Sequence, residues 1–241
     1  MASKDKLVYL CKNKGIEYFT DDKFIYAKKG KDTFRLAVFD NNYYKLRIYN
    51  GIPVLEIDGL RMHLVKDFET PLDYSKEIAS KLKITADDIV LDTCMGLGYT
   101  AIEASKAKKT ITFEISDSVY LLATWNPWSD KLFSKNIEIR RGDIAEEITE
   151  LKDNSFSVII HDPPRFSKAP NLYSLRFYQE LFRIACPKAR IFHYVGSVGQ
   201  AKGRKISEEV EKRLKRAGFT EIKYDKKLQG LLFRKQAVPR R

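Results

Sequence analysis

Over the first quarter of the chain, short apolar runs alternate with turn residues. Phe34–Phe39, Tyr43–Tyr49, Pro53–Ile57 and Leu60–Val65 are separated by Asp40-Asn41-Asn42, Asn50-Gly51 and Asp58-Gly59. Asn-Gly and Asp-Gly between apolar runs signal hairpins, because both central residues of the favoured turn need positive φ. The pattern predicts a small antiparallel β-rich module over residues 1–66. From about residue 70 the periodicity changes. Helices are expected over Tyr74–Leu82, Thr100–Lys106, Ser118–Thr124, Ile144–Leu151, Leu172–Ala185 and Ser207–Ala217. Between them, strands are expected at Ile89–Asp92, Thr110–Phe113, Ile137–Arg140, Phe156–His161 and Arg190–Val195. A final pair, Phe219–Tyr224 and Leu228–Arg234, predicts a terminal hairpin. Strands alternating with helices make a mostly parallel sheet, here seven-stranded, with helices on both faces, so the chain is α/β over residues 67–241.

A chain of 241 residues, 44% of them apolar, is long enough to bury a core. No apolar run approaches the roughly 20 residues of a membrane helix, and the first residues carry no apolar signal core. The expectation is a cytoplasmic protein that does not enter a membrane. Cys11, Cys94 and Cys186 are widely spaced and form no CxxC pair, and His63, His161 and His193 are scattered. Neither a disulfide framework nor a metal site is therefore expected.

The net charge of +12 is unevenly distributed. Residues 1–76 carry +3, residues 77–180 carry −3, and residues 181–241 carry +12. A field of that sign attracts a polyanion and raises its encounter rate; it also suits a Lys-rich solvated surface of the kind found in thermophile proteins. Lys212–Arg216 lie on one amphipathic helix, and Lys202, Arg204 and Lys205 lie on a basic loop, both suited to phosphates.

Acidic residues recur where successive strands end. Val90-Leu91-Asp92-Thr93-Cys94-Met95-Gly96-Leu97-Gly98 joins a buried strand to a helix through glycines, which allow backbone to approach a ligand closely. Glu114, followed by Ile115, ends the next strand, where an acid binds ribose hydroxyls. Asp143, followed by Ile144, comes after the third strand and can accept from an adenine amine. The third glycine of the dinucleotide pattern is missing and there is no Gly-Lys-Ser/Thr, so phosphate cradling is poorly supported. A carboxylate at Asp92 suits a cationic amino group instead. Tyr74, on the helix before this loop, is positioned to close over the same ligand. After the fourth strand comes Asp162-Pro163-Pro164-Arg165-Phe166. A carboxylate and a backbone carbonyl can each accept one N–H of a conjugated exocyclic amine, which turns its lone pair toward an electrophile. Asp162 would suit the side-chain acceptor of such a pair and the Pro163 carbonyl its companion.

On these residues the chain resembles class I, Rossmann-like S-adenosylmethionine (SAM)-dependent methyltransferases over about residues 70–235. Asp92–Gly98 is similar to the family's first motif, Glu114 to the second, Asp143 to the third, and Asp162–Phe166 to the Asp-Pro-Pro motif of amino-methyltransferases. Arg165 departs from the family's aromatic at the fourth position; Phe166 or the Arg165 guanidinium is then expected to contact the base. Cytosine carbon-methylating relatives need a cysteine near the next strand, and Ile191–Ser197 has none. His161–Ser174, His193–Gly196 and Leu55–His63 resemble an archaeal branch of the superfamily to which RNA methylation is attributed, including dimethylation of ribosomal cytosine at N4. The resemblance implies SAM as cofactor, its demethylated product S-adenosylhomocysteine, and RNA as partner. The residues leave open cytosine N4 or adenine N6, ribosomal or transfer RNA, and a protein or small-molecule amine as acceptor.

Overall fold

The computed structural model describes residues 15–21, 24–196 and 206–236. Cys11 and the residues Lys202, Arg204 and Lys205, expected from sequence to form a basic loop, lie outside them. The described chain forms two compact units. The first takes the residues up to Tyr74 together with Gly96–Tyr99 and Ser116–Ser134; the second takes the rest.

The first unit holds two antiparallel sheets. β1 (Ile16–Thr20), β2 (Ile25–Lys29) and β3 (Asp32–Arg35) form one; β4 (Ala37–Asp40), β5 (Asn42–Tyr49), β6 (Ile52–Ile57) and β7 (Leu60–Arg61) form the other. The turn signals act as expected: Asn50 and Gly51 have φ of 45° and 79°, Asp58 and Gly59 of 49° and 78°. Two predicted strands differ from those formed. Phe34–Phe39 is split at Leu36, whose N–H donates to the Ile25 carbonyl at 2.8 Å and whose carbonyl accepts from Leu46 N–H at 2.9 Å. Leu36 thus hands the chain from one sheet to the other. Leu60–Val65 ends after Arg61, because the next main-chain partner is replaced by a ring: Leu55 N–H donates to His63 Nδ1 at 3.2 Å. Helix α3 (Asp117–Trp125) completes this unit and is N-capped by Ser116, which accepts from Val119 N–H.

The second unit is built on a seven-stranded sheet. Its strands are β8 (Ile89–Asp92), β9 (Lys109–Glu114), β10 (Ile137–Arg141), β11 (Phe156–His161), β12 (Ala185–Tyr194), β13 (Phe219–Asp225) and β14 (Gly230–Lys235), in the order β10-β9-β8-β11-β12-β14-β13. The pairs from β10 to β12 are parallel; β14 lies antiparallel between β12 and β13. Leu91, Ile111, Ile159, Ile191 and Phe233 pack on one face against α4 (Ile144–Glu147), α5 (Leu175–Ile184) and α6 (Ile206–Ala217). Val90, Val158, Ile160 and Phe192 alternate with them and are buried too. Burial on both faces explains why these strands read as continuous apolar runs rather than alternating ones. The predicted helix to Ala185 stops one residue earlier, since Ala185 already pairs with Phe156 in the sheet. Helices α1 (Pro71–Lys81) and α2 (Tyr99–Glu103) precede and follow β8. No helix among the described residues is long and apolar enough to cross a membrane.

An ion pair between buried Asp88 and half-buried Arg190 ties the sheet's lower edge together. Asp88 accepts from Ser157 Oγ at 2.7 Å and from the Arg190 guanidinium, which also donates to the Lys83 carbonyl at 2.7 Å. Burial works against the charge, but the Thr85 amide, Ser157 and Arg190 hold the Asp88 carboxyl below its usual range. Arg190→Met leaves that carboxylate without its cation, so urea denaturation is expected to show a loss of about 1–3 kcal/mol.

Candidate functional site

Four carboxylates follow the carboxyl ends of four adjacent parallel strands in the second unit: Asp143 after β10, Glu114 on β9, Asp92 on β8 and Asp162 after β11. This is the edge where ligands bind in open α/β sheets. Asp92 is fully buried. Its Oδ2 accepts from Thr112 at 3.0 Å and Thr100 at 3.1 Å, while Oδ1 meets no hydrogen-bond donor among the described residues. Burial pushes its pKa up to about 7, and the nearby Asp162 charge adds to that; Thr112, Thr100 and the Cys94 amide pull the other way. A half-satisfied buried carboxylate of this kind is matched by a cation that completes it.

The loop after Asp92 is fixed at both ends. Thr93 N–H donates to the Ile160 carbonyl at 3.0 Å, and Met95 N–H to the Phe113 carbonyl at 2.7 Å. Gly96 and Gly98, in the first unit, have φ of 54° and 79°, a left-handed region that favours glycine. A Cβ on Gly98 would also lie 2.6 Å from Leu132. Burial raises the Cys94 thiol well above its ordinary pKa, so it is no ready nucleophile. Glu114 is buried at the strand end, and its carbonyl accepts from Gly142 N–H at 3.0 Å. Ile115 is 68% exposed, an apolar side chain left in solvent beside the acids. Asp143 N-caps α4, accepting from Ala145 N–H at 2.8 Å through Oδ1. Ile144 is buried in the core, which leaves only its backbone to face a ligand. Tyr74 belongs to the first unit, where it is buried with its ring edge-on to Phe68 at 5.4 Å.

The Asp162-Pro163-Pro164 segment is anchored from below by residues that the sequence did not mark as a group. Tyr173 Oη donates to the Pro164 carbonyl at 2.9 Å. The Pro163 carbonyl accepts no hydrogen bond among the described residues. His161 Nε2 lies 2.9 Å from the Leu172 carbonyl, which can only accept, so Nε2 carries the proton. Nδ1 then accepts from Thr93 Oγ1 at 2.7 Å. By the same reasoning His193 Nδ1 donates to the His161 carbonyl at 3.3 Å and Nε2 accepts from Tyr178 at 2.9 Å. Burial pushes His161 down to about 4 and His193 well below its usual value, so both rings are neutral. Thr93, His161, His193 and Tyr178 thus form a neutral hydrogen-bonded layer that joins the loop after β8 to β11 and β12, with the Tyr173 ring packed against both histidines. Tyr194, at the end of β12, lies close enough to Asp162 and Arg165 to feel both charges.

Arg165 is exposed, and its carbonyl accepts from Lys168 and Ala169 N–H, turning the chain. Phe166 is 41% exposed, with its ring edge-on to Tyr173 at 5.5 Å. Helix α6 carries less free charge than its sequence suggests. Lys212 pairs with Glu209 and Lys215 with Glu211, and Arg213 donates to the Tyr173 carbonyl at 2.9 Å. No group of His, Cys, Asp and Glu among the described residues is arranged to hold a metal.

No protein-family model matches the chain. Spermidine synthase from Thermotoga maritima is similar in structure, with a TM-score of 0.65 at 17% identity, covering 87% of this chain and 77% of that one. MNMC2 from Aquifex aeolicus has a TM-score of 0.57 at 17% identity, covering 81% and 71%. These likenesses are of fold alone: a Rossmann-like, mostly parallel sheet. In sequence, the uncharacterized protein MJ1233 of Methanocaldococcus jannaschii is 42% identical over 214 residues, which is 88% of this chain and 74% of that protein. On that identity and coverage, the chain belongs to the protein family of MJ1233.

Proposed function

We propose that the protein is a SAM-dependent methyltransferase acting on an exocyclic base amine of RNA, with ribosomal RNA the preferred class and cytosine N4 or adenine N6 the target atom. The observation that carries this reading is the pair of acceptors at the β11 end. Among the described residues the Pro163 carbonyl meets no donor, while the neighbouring Pro164 carbonyl accepts from Tyr173 Oη.

The residues fit the cofactor. Asp92 Oδ1, buried and lacking a donor, suits the ammonium of the methionine end. Glu114 suits the ribose hydroxyls, and the exposed Ile115 an adenine face. Asp143 keeps Oδ2 outside its cap, where it suits the adenine amine. When bound, SAM supplies a methyl group on a positively charged sulfur. The chain's part is positional. Asp162 and the Pro163 carbonyl each accept one N–H of the amine, withdrawing the lone pair from ring conjugation and aiming it. Asp162 is also the group to take the amine proton. The rigid prolines carry no N–H that competes for these acceptors. Phe166 and the Arg165 guanidinium supply planes for the base.

Tyr173→Phe removes the bond to Pro164 and nothing else of size. It is expected to lower kcat about tenfold while Kd for SAM stays within about twofold, checked by single-turnover transfer and equilibrium binding. The reading itself is tested by transfer of a labelled methyl group to total RNA and to total protein of cells lacking the gene. Label in an RNase-sensitive product supports it. Label only in a protease-sensitive or small-molecule product overturns the RNA target. A small amine is the second reading, favoured by the four carboxylates at the strand ends, and the same experiment separates the two.

A further inference from the structure

We propose that the outer face of the β1-β2-β3 sheet is a stacking platform for unpaired RNA bases. The inference rests on the reading of RNA as substrate and concerns a surface that reading does not use.

Strand register defines the two faces. Tyr18 pairs with Ala27, and Ala27 with Phe34; Tyr18 and Ala27 are buried, and Phe34 lies on Trp125 at 5.6 Å. This is the inner face. One residue along each strand, Phe19 pairs with Tyr26 and Tyr26 with Arg35, so these three form a row on the opposite, solvent side. The Phe19 and Tyr26 rings are stacked, 5.0 Å apart and within 9° of parallel. Tyr26 is held by its hydroxyl, which donates to Asp21 at 2.8 Å. Phe24 stands edge-on to Tyr26 at 6.5 Å, and the Arg35 guanidinium lies over the Phe24 ring at 4.7 Å. Phe19 is 44% exposed on the edge strand, so the stack ends in solvent.

Cross-strand aromatic pairs steady a hairpin, but that role does not call for the cations around this one. Lys28 and Arg35 share the row's face and Lys31 stands in the adjoining turn, all exposed, and none has an ion-pair partner among the described residues; Glu17 is the cross-strand neighbour of Lys28. Flat rings held in a row with unpaired cations beside them are complementary to single-stranded nucleic acid. Bases extend the ring stack whatever their sequence, and the cations track the phosphates. A protein partner would be complementary to the rings but would leave Lys28, Lys31 and Arg35 unmatched. Duplex RNA buries its base faces and offers nothing to stack.

The test uses the full chain and a 12-nucleotide single-stranded RNA carrying 2-aminopurine, alongside the same RNA annealed to its complement. The wild type is expected to quench the probe and to bind the single strand more tightly than the duplex. Phe19→Ala and Arg35→Ala are both at exposed positions, and circular dichroism with a thermal melt checks that they fold. Each is expected to weaken single-strand binding roughly tenfold and reduce quenching, with duplex binding changed less than about twofold. Wild-type binding that both variants retain overturns the platform and leaves the RNA reading standing. Equal losses on single strand and duplex also overturn it, since they mark a charge effect. A wild type that binds neither RNA overturns the RNA reading, and the platform with it.

Discussion

Asp162→Ala is expected to lower kcat for methyl transfer by about 10²–10³-fold, the cost of removing one preorganised polar contact to a reacting group. Kd for SAM is expected to stay within about threefold. The separation follows from geometry. Asp162 belongs to the β11 end, with the Pro163 carbonyl as its proposed companion acceptor, whereas the carboxylate proposed for the ammonium is Asp92 on β8. Asp162→Asn is the sharper variant. It keeps the shape and one acceptor oxygen but loses the charge, so it should retain orientation and lose proton acceptance. Single-turnover kinetics with saturating enzyme and SAM gives the rate of the transfer step, steady-state turnover gives kcat, and calorimetry gives Kd. Transfer at the wild-type rate by Asp162→Ala would remove Asp162 from the chemistry.

The second large effect belongs to Asp92. Asp92→Ala is expected to weaken SAM at least about 100-fold, because it leaves a cationic group without its buried partner. A pH dependence accompanies this. In the ligand-free protein the carboxyl titrates at about 7, so below that pH it is largely protonated. Pairing with an ammonium requires the ionised form. Affinity should therefore fall by up to about tenfold per pH unit below 7, and binding at pH 6 should release a proton. Stability runs in the opposite direction. The unfolded carboxyl titrates near 3.9, so the folded state holds a proton that the unfolded chain has lost. This contribution is full below about pH 4 and is lost as pH rises through 7. His161 opposes it: its folded value near 4 lies below the unfolded 6.5, so its contribution is lost as pH falls through that window. Comparing Asp92→Asn with the wild type isolates the first effect. The variant should lose the pH dependence of SAM binding, and the wild type should lose stability relative to it between pH 5 and 8. A pH-independent Kd in the wild type would show that Asp92 does not meet the ammonium.

The sheet was legible because its strands are buried on both faces. Ile89–Asp92 and Phe156–His161 read as continuous apolar runs and form with the expected bounds. The turns were legible wherever Asn or Asp precedes Gly. The break at Leu36 was not, because a residue that passes between two sheets has the same apolar character as one inside a strand. His63 ended β7 early by supplying a ring nitrogen where the pattern expects a main-chain acceptor. At the site, single acids after successive strands were readable from spacing. The Thr93–His161–His193–Tyr178 layer was not, since its members are scattered from residue 93 to residue 193 and each is an ordinary buried polar residue on its own. The one available signal was that His161 and His193 occupy the same register position on adjacent strands, which requires the topology to be known first. A charge count alone does not show that Lys212 and Lys215, two of the four cations in Lys212–Arg216, pair with glutamates one turn away on the same helix.

The most direct measurement is nucleoside mass spectrometry of ribosomal and transfer RNA fractions, purified from cells lacking the gene, after incubation with the protein and SAM. Asp162→Ala serves as the control. The expected result is a new N-methylated cytidine or adenosine in one fraction, present with the wild type and absent with the variant. Unchanged nucleosides in both fractions and in assembled ribosomal subunits would contradict the proposal that the Asp162-Pro163 acceptors orient an RNA base amine.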